Sequence, residues 1–183
     1  MRFECTNVDG AILIRQQPFT DERGYFSRIF CEKAFRENGL PHKFVQSNLC
    51  QNKAAGTLRG LHTSIEGYEE DKLVTCTRGR VFDVCADTRV HSPTYGQYAE
   101  CELSESNGNM LFIPKGCAHG YITLEADCQL LYFMSEFYVP STTAGYRYDD
   151  PFFSIKWPFE EPLILSEQDA NWPYIENTAQ EGF

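Results

Sequence analysis

The amino-acid sequence predicts an all-β fold, a sandwich or barrel of short strands with a few short helices. Three observations carry this. Apolar and polar residues alternate with a period of two over several stretches. Clusters of turn formers separate those stretches at short intervals. Helical patterning is confined to two brief segments.

In chain order, alternation marks residues 25–30, 72–77, 97–104 and 128–134 as strands. Residues 80–86 add a β-rich run, with Phe82 and Val84 on one face and Val81 and Cys85 on the other. Turns are expected at Asp21-Glu22-Arg23-Gly24, Arg78-Gly79, His91-Ser92-Pro93, Ser106-Asn107-Gly108-Asn109 and Ile113-Pro114-Lys115-Gly116. Residues 32–38 read as a helix stopped by Gly39 and Pro41. A second short helix is expected after Ser166, an N-cap candidate with Asp169 at the capping-box position. Many short strands with regular turns indicate a sandwich or barrel. No repeat, linker or low-complexity tract interrupts the chain. We therefore expect one domain over 1–183.

Composition narrows the class. The chain has 183 residues, with 26 acidic against 16 basic side chains and a net charge of −10. That balance disfavours nucleic acid as a partner, because phosphate neutralisation needs cations. Apolar runs fall well short of the ~20 residues that span a bilayer. The opening residues Met1-Arg2-Phe3-Glu4-Cys5 lack the apolar stretch of an export signal, which points to the cytoplasm. Eight cysteines are present, without CxxC spacing. In that compartment they read as reduced packing residues rather than as disulfides or zinc ligands.

Four segments could carry chemistry. In Gly56-Thr57-Leu58-Arg59-Gly60-Leu61-His62, Arg59 and His62 would face opposite sides of a plain strand. Either Arg59 is a surface cation beside a core histidine, or Gly60 hosts a bulge that turns both to one side. In Ile113-Pro114-Lys115-Gly116-Cys117-Ala118-His119-Gly120, the PxGxxH spacing resembles the second motif of the cupin barrels. Metal cupins add a His pair and a Glu from their first motif. Here that region reads His62-Thr63-Ser64, so the ligand set points to a cupin-like barrel without a metal. In Tyr146-Arg147-Tyr148-Asp149-Asp150-Pro151, either aspartate serves a turn or orients a histidine. Tyr132, in an apolar strand, is a core tyrosine or a functional one.

Together the pieces DERGYFSRIFC, FVQSN, GTLRGLH, KLVTCTRGRVFDV, DTRVHSPTYGQY, FIPKGCAHGYITLE, LLYFMSEFYVP, YRYDDPFFSIKWP and LSEQD resemble the dTDP-4-dehydrorhamnose 3,5-epimerase family. The resemblance places the core of the domain at 21–158 and a C-terminal extension at 159–183, and it implies a jelly-roll barrel that dimerises by exchanging an N-terminal strand. It also implies a nucleoside-diphosphate 4-keto-6-deoxyhexose substrate and no cofactor. By this resemblance His62 is the base, Tyr132 the opposing acid, Asp150 the carboxylate orienting the histidine, and Lys72 the cation beside the enolate oxygen. Arg23 and Arg59 match phosphate contacts, and Gln46, Ser47 and Asn48 the nucleotide side. His119, Asp83 and Tyr138 match further substrate contacts. An Arg cluster can hold a diphosphate despite the acidic net charge, because the local field decides.

The chain also departs from the family pattern. Thr63-Ser64 replaces the common aromatic-Gln after the histidine. Arg28 and Ala144 each stand where Glu is frequent, and Gln168 where Lys is frequent. The expectation is a retained reaction class with a shifted sugar or nucleotide preference. The alternatives are epimerisation at a single carbon, a metal-binding cupin, or a sugar-binding barrel without catalysis.

Overall fold

A computed structural model describes residues 1–159 and 164–175; residues 160–163 and 176–183 of the expected C-terminal extension lie outside them. Its elements are β1 (Arg2–Cys5), β2 (Ile12–Arg15), β3 (Phe19–Asp21), β4 (Gly24–Phe26), α1 (Glu32–Glu37), β5 (Gln46–Asn52), β6 (Leu58–Ser64), β7 (Lys72–Arg78), β8 (Arg80–Asp87), β9 (Tyr98–Ser104), β10 (Met110–Ile113), β11 (Cys117–Thr123), β12 (Cys128–Met134), β13 (Thr143–Gly145) and α2 (Glu167–Ala170). A six-stranded antiparallel sheet runs β1-β2-β10-β7-β12-β5, and a five-stranded one runs β13-β6-β11-β8-β9. The fold is therefore the all-β, cupin-like one that the sequence predicts.

Period-2 patterning explains how the sheets stack. Val74, Cys76, Leu111 and Leu130 point from the first sheet onto Val81, Cys85, Leu103 and Tyr121 of the second. The alternate residues Leu73 and Phe112, with Ile14, face outward and are covered by Phe35 of α1. The second sheet buries Leu61 and Val84 on its outer side under Phe153, with Trp157 packed alongside. Each sheet is thus apolar on both faces.

Two expectations change. The alternation at 25–30 gives a strand only through Phe26, because Ile29 and Phe30 turn onto the aromatic cluster around Phe35. The strands β1, β2 and β5 carry too little alternation to stand out; β5 is a sheet edge whose Leu49 is exposed. All eight cysteines are unbridged. Among the described residues no helix is long and apolar enough to cross a membrane.

Candidate active site

One cavity of about 750 Å³ opens between the two sheets. Strands of the first sheet supply Cys50, Lys72, Val74, Leu130, Tyr132 and Met134. Strands of the second supply Arg59, His62, His119 and Tyr121. His62 and Tyr132 therefore stand on opposing sheets and face the same space.

The presence of both Arg59 and His62 in that space has a local cause. In the β6–β11 ladder, His62 pairs with His119 and Arg59 with Tyr121, so two residues of β6 oppose the single Gly120. This is a bulge. It needs glycine at 60, where φ is +121 and a Cβ would lie 2.6 Å from the Cα of Gly120. Arg59 is then held by Asn52, whose Oδ1 accepts its Nε–H at 2.9 Å.

The partner of His62 is Asp169, with Nε2 at 2.6 Å from Oδ1. Ser166 caps α2 by accepting the Asp169 N–H at 3.0 Å, as its sequence position predicts. That cap fixes the helix start and turns the Asp169 side chain toward β6. Trp172 Nε1 donates to the same Oδ1 at 3.1 Å. Burial would raise the Asp169 carboxyl, but hydrogen bonds from His62, Trp172 and Ser166 outweigh it and hold the group below its ordinary value. An ionised carboxylate on Nε2 fixes the tautomer and leaves the Nδ1 lone pair of His62 for chemistry.

This corrects the expectation for Asp150. Its carboxylate accepts the backbone N–H groups of Phe152 at 2.9 Å and Ile175 at 2.6 Å, tying a turn to the C-terminal segment. Asp149 is paired with Arg147. Neither reaches a histidine among the described residues. Asp169 sits in a segment that the sequence presents as an extension, where its capping position gave a sufficient local reason for a carboxylate. Asp83 is corrected as well. It does not line the cavity but lies fully buried behind His119, whose Nε2 is 3.0 Å from both carboxylate oxygens.

Tyr132 is lifted above the ordinary phenol range chiefly by burial, with the Glu70 carboxylate adding to the rise and Arg59 opposing it. It therefore carries its proton at neutral pH. Lys72 pairs with Glu70 at 3.1 Å. Tyr138 stands at the mouth, its backbone N–H bound to Gln46 Oε1 at 3.1 Å. Gln46 and Asn48 lie behind that mouth with a mutual bond of 3.2 Å, and Ser47 faces outward. None of those three lines the cavity. Arg23 is outside it too, at the tip of the β3–β4 hairpin, paired with Asp21. Of the departures, Thr63 and Ser64 line the cavity, and Ala144 pairs with Thr63 on β13.

The family model for dTDP-4-dehydrorhamnose 3,5-epimerase matches residues 5–177. The chain belongs to the dTDP-4-dehydrorhamnose 3,5-epimerase family. It is 45% identical over 179 residues to a curated epimerase of that name from Methanothermobacter thermautotrophicus, covering 96% of each chain. Among solved structures, it resembles the Legionella pneumophila dTDP-6-deoxy-D-glucose-3,5-epimerase in complex with dTDP-4-keto-L-rhamnose. The TM-score is 0.89 at 36% identity, covering 94% of this chain and 92% of that one. A 3'-monoepimerase from Streptomyces bikiniensis, in complex with dTDP-quinovose, is similar at TM-score 0.84 and 29% identity, covering 91% and 84%. Membership of this family of isomerases thus rests on sequence and fold together.

Proposed function

We propose that the chain inverts C3 and C5 of a nucleoside-diphosphate 4-keto-6-deoxyhexose, turning dTDP-4-dehydro-6-deoxyglucose into dTDP-4-dehydrorhamnose. The observation that carries this reading is the His62–Asp169 pair on one wall of the cavity opposite Tyr132 on the other. Both carbons flank the C4 ketone. Nδ1 of His62 takes the C–H proton, and the electron pair moves onto the C4 oxygen as an enolate. The Tyr132 hydroxyl then returns a proton to the opposite face, which inverts the centre. Asp169 stabilises the imidazolium formed in the first step. The Lys72 ammonium stabilises the enolate more than the ketone, so its help grows toward the transition state. Every group needed belongs to this chain, so the reaction uses no cofactor.

Arg59 and Lys115 line the same cavity and suit a diphosphate. Arg23 joins them only if the hairpin crosses to a second copy. That hairpin exposes Phe19, Tyr25 and Phe26 by 68%, 67% and 72%, apolar surface that favours burial in a partner. We read the working unit as a homodimer that exchanges this N-terminal segment, acting in the cytoplasm in deoxysugar synthesis.

The test is incubation with dTDP-4-dehydro-6-deoxyglucose in heavy water. Label at C3 and C5 supports the reading, and absence of label at either carbon overturns it. Label at one carbon alone would favour the single-position alternative, which the likeness to the 3'-monoepimerase keeps in view.

A further inference from the structure

The acidic run Glu69-Glu70-Asp71 before Lys72 separates into three roles. Glu69 accepts the Gly67 N–H at 2.9 Å. Asp71 accepts the Lys115 N–H at 2.9 Å and is buried. Glu70, two residues before Lys72 and just ahead of β7, lies against the ammonium at 3.1 Å. The two side chains are only 11% and 13% exposed, and both line the cavity with His62 and Tyr132.

An ammonium this enclosed loses much of its hydration, and the carboxylate beside it replaces part of what is lost. A lysine stem also has four rotatable bonds, so without an anchor its head samples several positions. Among the described residues, Lys72 has no other ion pair. The ammonium therefore keeps N–H bonds for a further acceptor in the cavity.

We propose that Glu70 is a positioning residue for the enolisation, anchoring the Lys72 ammonium at the cavity wall so that its free N–H bonds point to the C4 oxygen of the substrate. The proposal rests on the epimerase reading above. It adds a carboxylate that never touches the reacting carbons yet sets the rate at which they lose their protons. Because a static anchor matters equally for either carbon, exchange at C3 and C5 should depend on it alike.

A double-mutant cycle tests this on the full chain, with deuterium incorporation into dTDP-4-dehydro-6-deoxyglucose as the readout. Glu70→Gln keeps the shape and an acceptor oxygen but removes the charge. We expect kcat to fall about 10- to 100-fold, with KM within about threefold. Glu70→Asp should recover part of the loss. In a Lys72→Met background, Glu70→Gln should change kcat by less than about twofold, because a residue acting only through Lys72 has nothing left to act on. Wild-type kcat in Glu70→Gln, or an equal loss in both backgrounds, would overturn the proposal. An unmodified chain that incorporates no deuterium would instead overturn the epimerase reading and the proposal with it.

Discussion

Replacing Asp169 by Asn separates the site geometry from the expectation based on Asp150. The carboxylate sits 2.6 Å from Nε2 of His62 and its side chain is 5% exposed. When the imidazole takes a substrate proton, the two charges stand about 4 Å apart at an effective dielectric of about 20, an attraction of about 4 kcal/mol. At 1.36 kcal/mol per tenfold, losing it slows the chemical step about a thousandfold. Asn keeps an oxygen at this position, because the Trp172 Nε1–H that shares it can only donate, so the ring tautomer is retained and the lost charge is the whole effect. We expect Asp169→Asn to lower kcat about a thousandfold with KM changed less than about threefold. The assay is NMR of deuterium entering C3 and C5. Asp150→Asn should keep kcat near that of the unmodified chain, while weakening two backbone hydrogen bonds and costing about 1–3 kcal/mol of stability. More than a tenth of normal kcat in Asp169→Asn would refute the reasoning, as would an equal catalytic loss in Asp150→Asn.

Other perturbations follow from the same geometry. Tyr132→Phe should slow net epimerisation about 100-fold or more while the first C–H proton still exchanges with solvent, seen by comparing product formation with label uptake. Gly60→Ala combines left-handed strain with a clash against Gly120; we expect about 3 kcal/mol of destabilisation and a melting point lower by roughly 6–12 °C, by calorimetry. Gly67→Ala, also at positive φ but with open space around it, should cost only about 1 kcal/mol. Asp87 offers a pH test. Burial would raise its carboxyl, but bonds from Arg89, Ser92 and Thr94 pull it from 3.8 down to about 2. A depressed carboxyl stabilises the fold above its unfolded value and loses that contribution as pH falls through the folded one. The difference of nearly two pH units is worth about 2.5 kcal/mol, lost between about pH 4 and pH 2. Urea titrations across that window should show this slope, and Asp87→Asn should flatten it.

Local pattern reached far in this chain. Alternation placed β7, β9 and β12 to within one or two residues, because a strand buried on a face must repeat every second side chain, and the β-rich run at 80–86 placed β8 as closely. The turns fell at their Gly, Asn and Pro clusters, since those residues satisfy backbone geometry on their own. The bulge at Gly60 was one of two open readings of its heptapeptide, and the ladder to β11 chose between them. Chemistry-bearing residue types were visible as well: His62, Lys72, Tyr132, Arg59, His119 and Tyr138 share one cavity.

What sequence could not decide was which groups meet across long separations. Asp169 lies 107 residues from His62, and its capping position alone accounts for its presence on α2. Asp150 and Asp169 are chemically the same group; only the packing of the C-terminal segment sends one to backbone N–H groups and the other to an imidazole. The same holds for Asp83, placed behind His119 rather than in the cavity, and for Glu70, whose neighbour is set by which face of β7 lines the space between the sheets. Amino-acid types and their period determine strands, turns and the reactive groups available. The stacking of two sheets and the docking of a short capped helix determine which of those groups act together, because contact between distant residues is a property of the packed chain and not of any segment of it.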